Sequence, residues 1–167
     1  EHYQPRGSND GLPQTITGAI VAVADKLDSV CGLIGIGQVP TGSADPYALR
    51  RAANGVVQII VERGWSLNLS ELIDFSLNLA KQRSELMSSA QRDVQAFFRQ
   101  RVVGLLRQLG LDYDVIDSLM HLSLGDLPDL RARGLALQSF RSREDFLRLV
   151  IGFKRAANII EKVERVP

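Results

Sequence analysis

Two aspartates, Asp25 and Asp28, are the residues whose types and spacing first suggest chemistry. They stand three positions apart in an apolar stretch, and this spacing places both carboxylates near one another on the same side of a helix. A carboxylate among apolar residues is costly to bury unless it is paired or hydrogen-bonded. The pair could hold a divalent cation, or it could consist of structural acids that anchor the following loop or an arginine such as Arg50 or Arg51.

The metal interpretation needs histidine ligands that the sequence hardly offers. Such a site requires a histidine next to an aspartate and further imidazole groups. The chain has two histidines, His2 and His121, and neither precedes an aspartate. The residues therefore favour structural acids at Asp25 and Asp28 over metal ligands, and no metal site is expected.

A glycine-rich stretch follows the aspartates. It comprises Gly32, Gly35 and Gly37, and then the sequence PTGS from Pro40 to Ser43. A Walker-type phosphate loop would need Gly-Lys-Ser/Thr, and a dinucleotide fingerprint would have to follow a strand, but neither condition holds here. The stretch is typical of a tight connector between two packed helices, and no nucleotide site is inferred.

Basic residues are the remaining candidates for binding. Arg50 and Arg51 lie near the beginning of a predicted helix, and Lys154 and Arg155 lie in the arginine-rich last quarter of the chain. Exposed lysines and arginines on helices usually do no more than keep the surface solvated, and acidic neighbours dilute their field. The solvated surface is the favoured interpretation. Contacts with the phosphates of an RNA backbone are the alternative.

The sequence offers no nucleophile with a partner. Cys31 is the single cysteine, which excludes a disulfide scaffold and is typical of a buried thiol in a reducing cytosol. Neither Cys31 nor any serine has a histidine at a recognisable spacing, and no Gly-x-Ser-x-Gly elbow occurs. No catalytic residue is therefore expected.

The elements that would position these residues are helices. Apolar residues recur at helical spacing and show no convincing alternation with period two, which predicts an all-α, multi-helix bundle. Thr15 or Thr17 is predicted to cap the first helix, and Gly32, Gly35 and Gly37 to end it. Asp45 followed by Pro46 predicts the start of the second helix, with Pro46 at the first helical position, and Gly64 ends it.

Further helices are predicted along the rest of the chain. Asn68 and Glu71 form a variant of the capping box that opens the third helix. A long helix from about Ser89 ends at Gly110, a short one starts at Asp112 or Asp114, and two more complete the chain. Residues expected to face the core in the third helix and in the last two are Leu72, Phe75, Leu79, Leu86, Leu130, Leu135, Leu137, Phe140, Phe146, Leu149, Val150, Phe153, Ile159 and Ile160.

The amino-acid composition only weakly restricts the class of protein and its partners. With 20 basic and 19 acidic side chains in 167 residues, the formal net charge is +1, which neither requires nor excludes a nucleic-acid partner. No apolar stretch is long enough to span a membrane and no signal peptide is visible. The first residue is not Met and the last residues follow directly on a helix, which suggests a piece of a longer protein.

Several ordered motifs resemble the beta subunit of bacterial-type glycyl-tRNA synthetase. They are EHYQPR, ADKLD, the GIG turn, PTGS, DP, ALRRAA, GVVQII and, near the C-terminus, FKRAANI from Phe153 to Ile159. The match is densest from Glu1 to Ile60 and sharpens again at FKRAANI. ADKLD also resembles the last aspartate-bearing helix of the HD phosphohydrolases, whose histidines and aspartates hold divalent cations.

The synthetase resemblance implies a fold, a set of partners and separate roles for the alpha and beta subunits. Residues 1–64 would be the second half of an HD-like helical domain, and residues 65–167 a helical region that leads into the anticodon-binding domain. The whole cytoplasmic enzyme joins glycine to tRNA(Gly) with ATP and magnesium at a site in its alpha subunit, and its beta subunit holds the tRNA. This chain would then be a non-catalytic part of the ligase that binds no cofactor, with the alpha subunit and tRNA(Gly) as partners and neither membrane nor DNA.

The same resemblance suggests site residues. Arg50, Arg51, Lys154 and Arg155 match its motifs and would face the tRNA. The chain departs from the pattern at Cys31 and at Ala44, where a lysine is common, and the missing charge weakens any role of this loop in holding phosphate. Two other functions stay open: a fragment of an HD-type metal-dependent phosphohydrolase, and a helical interaction module with no RNA role.

Overall fold

The computed structural model describes the backbone of residues 1–7 and 10–164, and side chains as far as Ile160. These residues form seven helices, which confirms the predicted all-α class; the HD-like detail stays a prediction. The helices are α1 (Ile16–Gly35), α2 (Leu49–Arg63), α3 (Leu69–Lys81), α4 (Ala90–Gln108), α5 (Tyr113–Leu119), α6 (Leu127–Phe140) and α7 (Glu144–Glu164). Within the described ranges, no helix combines the length and apolar composition that crossing a lipid bilayer requires.

Helices α1 and α4 form the centre of the bundle. Helix α1 packs against α2, α3 and α4, and α4 also contacts α2 and α3. Helix α6 packs on α2, and the short α5 lies between α4 and α6. One cluster of buried side chains runs from α1 to the first turns of α6, and its largest fully buried member is Phe98 of α4.

Several predicted helix ends have the expected residues. The hydroxyl of Thr15 accepts a hydrogen bond from the Gly18 amide at the start of α1. Asn68 accepts hydrogen bonds from the Ser70 and Glu71 amides and donates one of 2.8 Å to Oε1 of Glu71, so the predicted capping box is present. Gly64 ends α2 with a φ of 63°, a conformation that glycine adopts without steric cost.

Helix α1 ends at Gly35, one of the three glycines predicted to end it, and it continues through Gly32 because a single glycine in a helix held by packing is tolerated. The predicted start of the second helix is wrong. Helix α2 begins at Leu49 and not at Pro46. The carboxylate of Asp45 accepts hydrogen bonds from the amides of Leu49, at 2.8 Å, and Arg50, at 3.0 Å, so Asp45 caps the helix from farther upstream. The intervening turn passes through Ala48, whose φ is 55°.

The predicted inward residues Leu72, Phe75, Leu79 and Leu86 are only half right, because Leu72 and Leu86 pack partly buried against the core but Phe75 and Leu79 do not. Phe75 is 63% exposed and Leu79 41% exposed, whereas Leu69, Ile73 and Leu77 are buried against α1 and α4. Both sets have helical spacing, so periodicity alone could not choose between two apolar faces. The same ambiguity explains the exposure of Leu135 and Phe140 in α6.

Helix α7 differs most from its prediction. Its residues were expected to bury an apolar face, yet Leu149, Phe153, Ile159 and Ile160 are exposed, and only Phe146 and Val150 are half-buried. The helix lies outside the shared core. It is amphipathic in sequence, but the described residues do not cover its apolar face.

Candidate nucleic-acid interface

A groove with both polar and apolar surface runs between α2 and α4. Its volume is about 770 Å³. On each helix the lining residues recur three and four positions apart, so they share one face. The groove is lined by Arg51, Asn54, Gly55, Val57 and Gln58 of α2, by Gln100, Arg101, Gly104, Leu105 and Gln108 of α4, and by Pro5 and Gly7 of the N-terminal segment.

Arg51 lies on the α2 side of this groove. Its side chain is exposed, and Nη1 donates a long hydrogen bond of 3.4 Å to the carbonyl oxygen of Arg6. In the described part of the chain, no carboxylate lies within ion-pair distance of Arg51, in contrast to Arg133, which pairs with Asp129 at 2.7 Å. The Arg51 guanidinium therefore keeps donors available at the groove surface.

Arg101 lies across the groove on α4 and is half-buried. Its guanidinium lies over the ring of Phe97, 5.1 Å from the ring centroid, and donates a hydrogen bond of 3.1 Å to Oε1 of Gln100. Burial lowers the pKa of Arg101, the neighbouring charge of Arg50 lowers it further, and Asp45 opposes the shift. Nε of Arg101 is buried without a hydrogen-bond partner among the described atoms.

Arg50, in contrast, holds a loop. Its guanidinium donates hydrogen bonds to the carbonyl oxygens of Gly42, at 2.9 Å, and Ala44, at 3.4 Å. Both acceptors belong to the connector between α1 and α2 that contains PTGS. Arg50 thus stabilises this connector from the first turn of α2, whereas its neighbour Arg51 lines the groove.

Lys154 and Arg155 lie on α7, apart from the groove lining. Both side chains are exposed. Among the described residues, neither makes a side-chain hydrogen bond or an ion pair. Their positions on a solvent-facing helix leave both charges accessible to a partner.

The two aspartates, Asp25 and Asp28, have different surroundings. Asp28 pairs with Arg83, which follows α3, through both guanidinium nitrogens Nη1 and Nη2; the Nη1 contact is 3.3 Å. Its partner is therefore neither Arg50 nor Arg51. Asp25 is exposed on α1. Nowhere in residues 1–7 and 10–160 do three histidine, cysteine, aspartate or glutamate side chains lie together.

Cys31 is buried in α1. Burial raises the pKa of its thiol to about 12, while a hydrogen bond with the Ser76 side chain opposes the shift. A thiol that stays protonated at neutral pH is a poor nucleophile. The structure therefore gives Cys31 a packing role in the core.

Sequence reasoning missed the α4 side of the groove. The polar side of α2, with Asn54 and Gln58, was visible as helical spacing in the sequence. On α4, Arg101, Gly104 and Gln108 also recur at helical spacing, which places them on one face of the helix. The sequence does not show that this face lies next to the polar face of α2, because the two are about 50 residues apart in the chain. That pairing depends on how α2 and α4 pack.

Comparisons with known proteins point to one family. The sequence model described as "Glycyl-tRNA synthetase beta subunit" matches residues 1–121. The glycine–tRNA ligase beta subunit of Trichlorobacter lovleyi is 45% identical over 163 residues, which cover 97% of this chain and 24% of that protein. The corresponding protein of Geobacter metallireducens is 43% identical, with 97% and 24% covered. That of Desulfitobacterium hafniense is 42% identical, with 100% and 25% covered. The chain thus spans about a quarter of the length of these relatives.

Proposed function

The chain belongs to the glycyl-tRNA synthetase beta subunit family, and on that premise we propose that it is a tRNA-binding and structural part of a glycine–tRNA ligase. The family membership confirms the resemblance of the ADKLD, GIG, PTGS and ALRRAA motifs. The proposed reaction joins glycine to tRNA(Gly) at the expense of ATP.

In this proposal the chemistry lies elsewhere in the enzyme. The alpha subunit forms the adenylate with ATP and magnesium, and this chain supplies no catalytic residue. Its proposed partners are the alpha subunit and tRNA(Gly), and its proposed compartment is the cytoplasm. Residues 1–64 would correspond to the second half of an HD-like domain, and residues 65–167 to the region that leads into the anticodon-binding domain.

RNA binding is supported by the difference between arginines that pair with carboxylates and arginines that do not. Many arginines of the described chain are paired with carboxylates, among them Arg83 with Asp28 and Arg133 with Asp129. Arg51 of the groove has backbone carbonyl contact only. A polyanion gains most from cations that no internal carboxylate neutralises.

We propose Arg51, Lys154 and Arg155 as groups that contact tRNA phosphates. Arg50 belongs to the same proposal, but its side chain also holds the loop carbonyls of Gly42 and Ala44. An Arg50→Ala variant would therefore change both charge and loop structure. Arg51, Lys154 and Arg155 give the cleaner test because their side chains support less of the fold.

The test is filter binding of a tRNA(Gly) transcript to the protein over a series of salt concentrations. We expect each Arg51→Ala, Lys154→Ala and Arg155→Ala substitution to weaken binding and to reduce the slope of log K against log salt by about one. Arg133→Ala is the matched control, because Asp129 already neutralises that arginine. Unaltered affinity and salt slope in all three variants would contradict the assignment of these residues.

A further inference from the structure

We infer that the groove between α2 and α4 binds a ribose–phosphate segment of the tRNA, with Arg51 and Arg101 on its phosphates. The inference rests on the proposed function and adds a location and a residue, Arg101, that the sequence motifs do not indicate. The class of ligand follows from the charge, the hydrogen-bonding groups and the shape of the groove.

The charge of the groove is positive. Among the described residues that line it, two are arginines and none carries a carboxylate. Burial has removed part of the solvation of Arg101, and its charge is also repelled by that of Arg50, an effect that Asp45 opposes. An anion in the groove would relieve that repulsion and would accept hydrogen bonds from the guanidinium.

The neutral polar groups of the groove suit ribose and phosphate. Asn54, Gln58, Gln100 and Gln108 contribute four amide side chains. Each amide donates and accepts hydrogen bonds, as the 2′-hydroxyl of RNA also does. Of these four side chains, only that of Gln100 has a hydrogen bond within the described structure, which it accepts from Arg101. The amides of Asn54, Gln58 and Gln108 therefore remain available to a ligand.

The groove exposes comparable amounts of polar and apolar surface, but its described lining has no aromatic side chain that could anchor a protein partner. Its apolar side chains are those of Pro5, Val57 and Leu105. Energetically dominant residues of protein interfaces are typically tryptophan, tyrosine and arginine set among well-packed apolar contacts. Two arginines among amides fit a sugar–phosphate backbone better than an apolar protein surface.

Gly104 gives the groove its width. A Cβ atom at this position would meet no heavy atom within 4 Å, so helix packing does not require a glycine there. Glycine is also unfavourable in the middle of a helix. Its visible effect in the structure is to leave open space on the groove face of α4, one turn from Arg101.

The test therefore uses position 104, where a larger side chain fits the fold. Gly104→Glu would place a carboxylate in the groove, and Gly104→Ala is the matched control that adds only a methyl group. At low salt we expect Gly104→Glu to bind a tRNA(Gly) transcript at least about tenfold more weakly than Gly104→Ala, which adds side-chain volume at the same position without a charge. Fluorescence anisotropy gives the Kd, and thermal melting verifies that each variant folds.

Arg101→Gln tests the phosphate contact independently. We expect this substitution to weaken binding and to reduce the salt slope by about one. Equal Kd values for Gly104→Glu and Gly104→Ala, together with an unchanged slope in Arg101→Gln, would overturn the groove assignment. Normal tRNA binding by the groove variants combined with weakened assembly with the alpha subunit would overturn it too, in favour of a protein interface.

The proposed function and the groove can fail separately. If the parent does not bind tRNA(Gly), both are wrong. If the parent binds and the Lys154→Ala or Arg155→Ala variants weaken binding while the groove variants do not, tRNA binding stands and only the groove assignment falls.

Discussion

The ammonium group of Lys26 donates a hydrogen bond of 3.1 Å to the carbonyl oxygen of His2. Lys26 is 7% exposed and is the buried charged residue of the described core. Its aliphatic stem lies against α2 at Gly55, where a Cβ atom would lie 3.0 Å from Cε of Lys26. One side chain of α1 thus joins the N-terminal segment to α2, next to Gly55 of the groove lining.

We expect Lys26 to make the stability of the protein rise with pH on the alkaline side. Burial lowers the pKa of Lys26 from its ordinary value of 10.5, and the neighbouring Asp25 only partly opposes the shift. The native state therefore binds this proton less tightly than the unfolded chain, so the free energy of unfolding rises as the pH approaches 10.5. In Lys26→Met, which keeps the stem and removes the charge, that contribution disappears.

Urea unfolding of the parent and of Lys26→Met at several pH values checks this expectation. The stability of the parent relative to the variant should increase as the pH rises towards the ordinary lysine pKa of 10.5. Lys81→Met is the control, because Lys81 is exposed. A difference between the parent and Lys26→Met that does not change with pH would show that the buried amine has an ordinary pKa.

Asp28 and Arg83 form a pair at the protein surface, with both side chains about half exposed. Such pairs contribute little to stability in water. We expect Asp28→Asn to lower Tm by no more than about 3 °C, and this difference to vanish at high salt. Asp25→Asn serves as the control on the same helix and should leave Tm unchanged. If added Mn²⁺ raised the Tm of the parent but not that of Asp28→Asn, Asp28 would be a metal ligand instead of a structural acid.

Local signals in the sequence predict much of this fold. The Thr15 cap, the capping box of Asn68 and Glu71, and the glycine ends at Gly64 and Gly110 all depend on chemistry within a few residues. The buried face of α4 also has a local signal, because Val94, Phe97 and Phe98 stand out among polar neighbours. These features need no knowledge of the tertiary structure.

Features that depend on packing could not be predicted in this way. Phe75 and Ile73 are equally apolar candidates for the core, and only the position of α3 on α1 decides that Ile73 is buried. The groove has the same origin: Arg51 and Arg101 face one space because α2 and α4 pack side by side. The start of α2 was missed because Asp45 caps from beyond an intervening turn at Ala48.

Gly134 of α6 is a glycine that packing requires. A Cβ atom there would lie 2.9 Å from Cδ1 of Leu119 and still closer to Leu111, and both leucines are buried. We expect Gly134→Ala to lower the free energy of unfolding by about 1–3 kcal/mol, because the overpacked leucines have little room to move. Gly104→Ala is the matched helical control and should raise it by about 0.5–1 kcal/mol, since the added methyl group meets no neighbour. Equal shifts in the two variants, measured by urea unfolding, would contradict this account of α5–α6 packing.

Cys31 should be nearly inert towards thiol reagents in the folded protein. Burial raises the pKa of its thiol from 9.0 to about 12, so the thiolate fraction at neutral pH falls roughly a thousandfold relative to the unfolded chain. Measured with a disulfide reagent at about pH 8, the rate of modification should therefore drop by at least that factor on folding, and the remaining reaction should follow opening of the core. Urea above the unfolding midpoint supplies the control rate. Modification at the control rate under native conditions would show that the thiol is accessible, and that α1 does not pack against α3 and α4 at this residue.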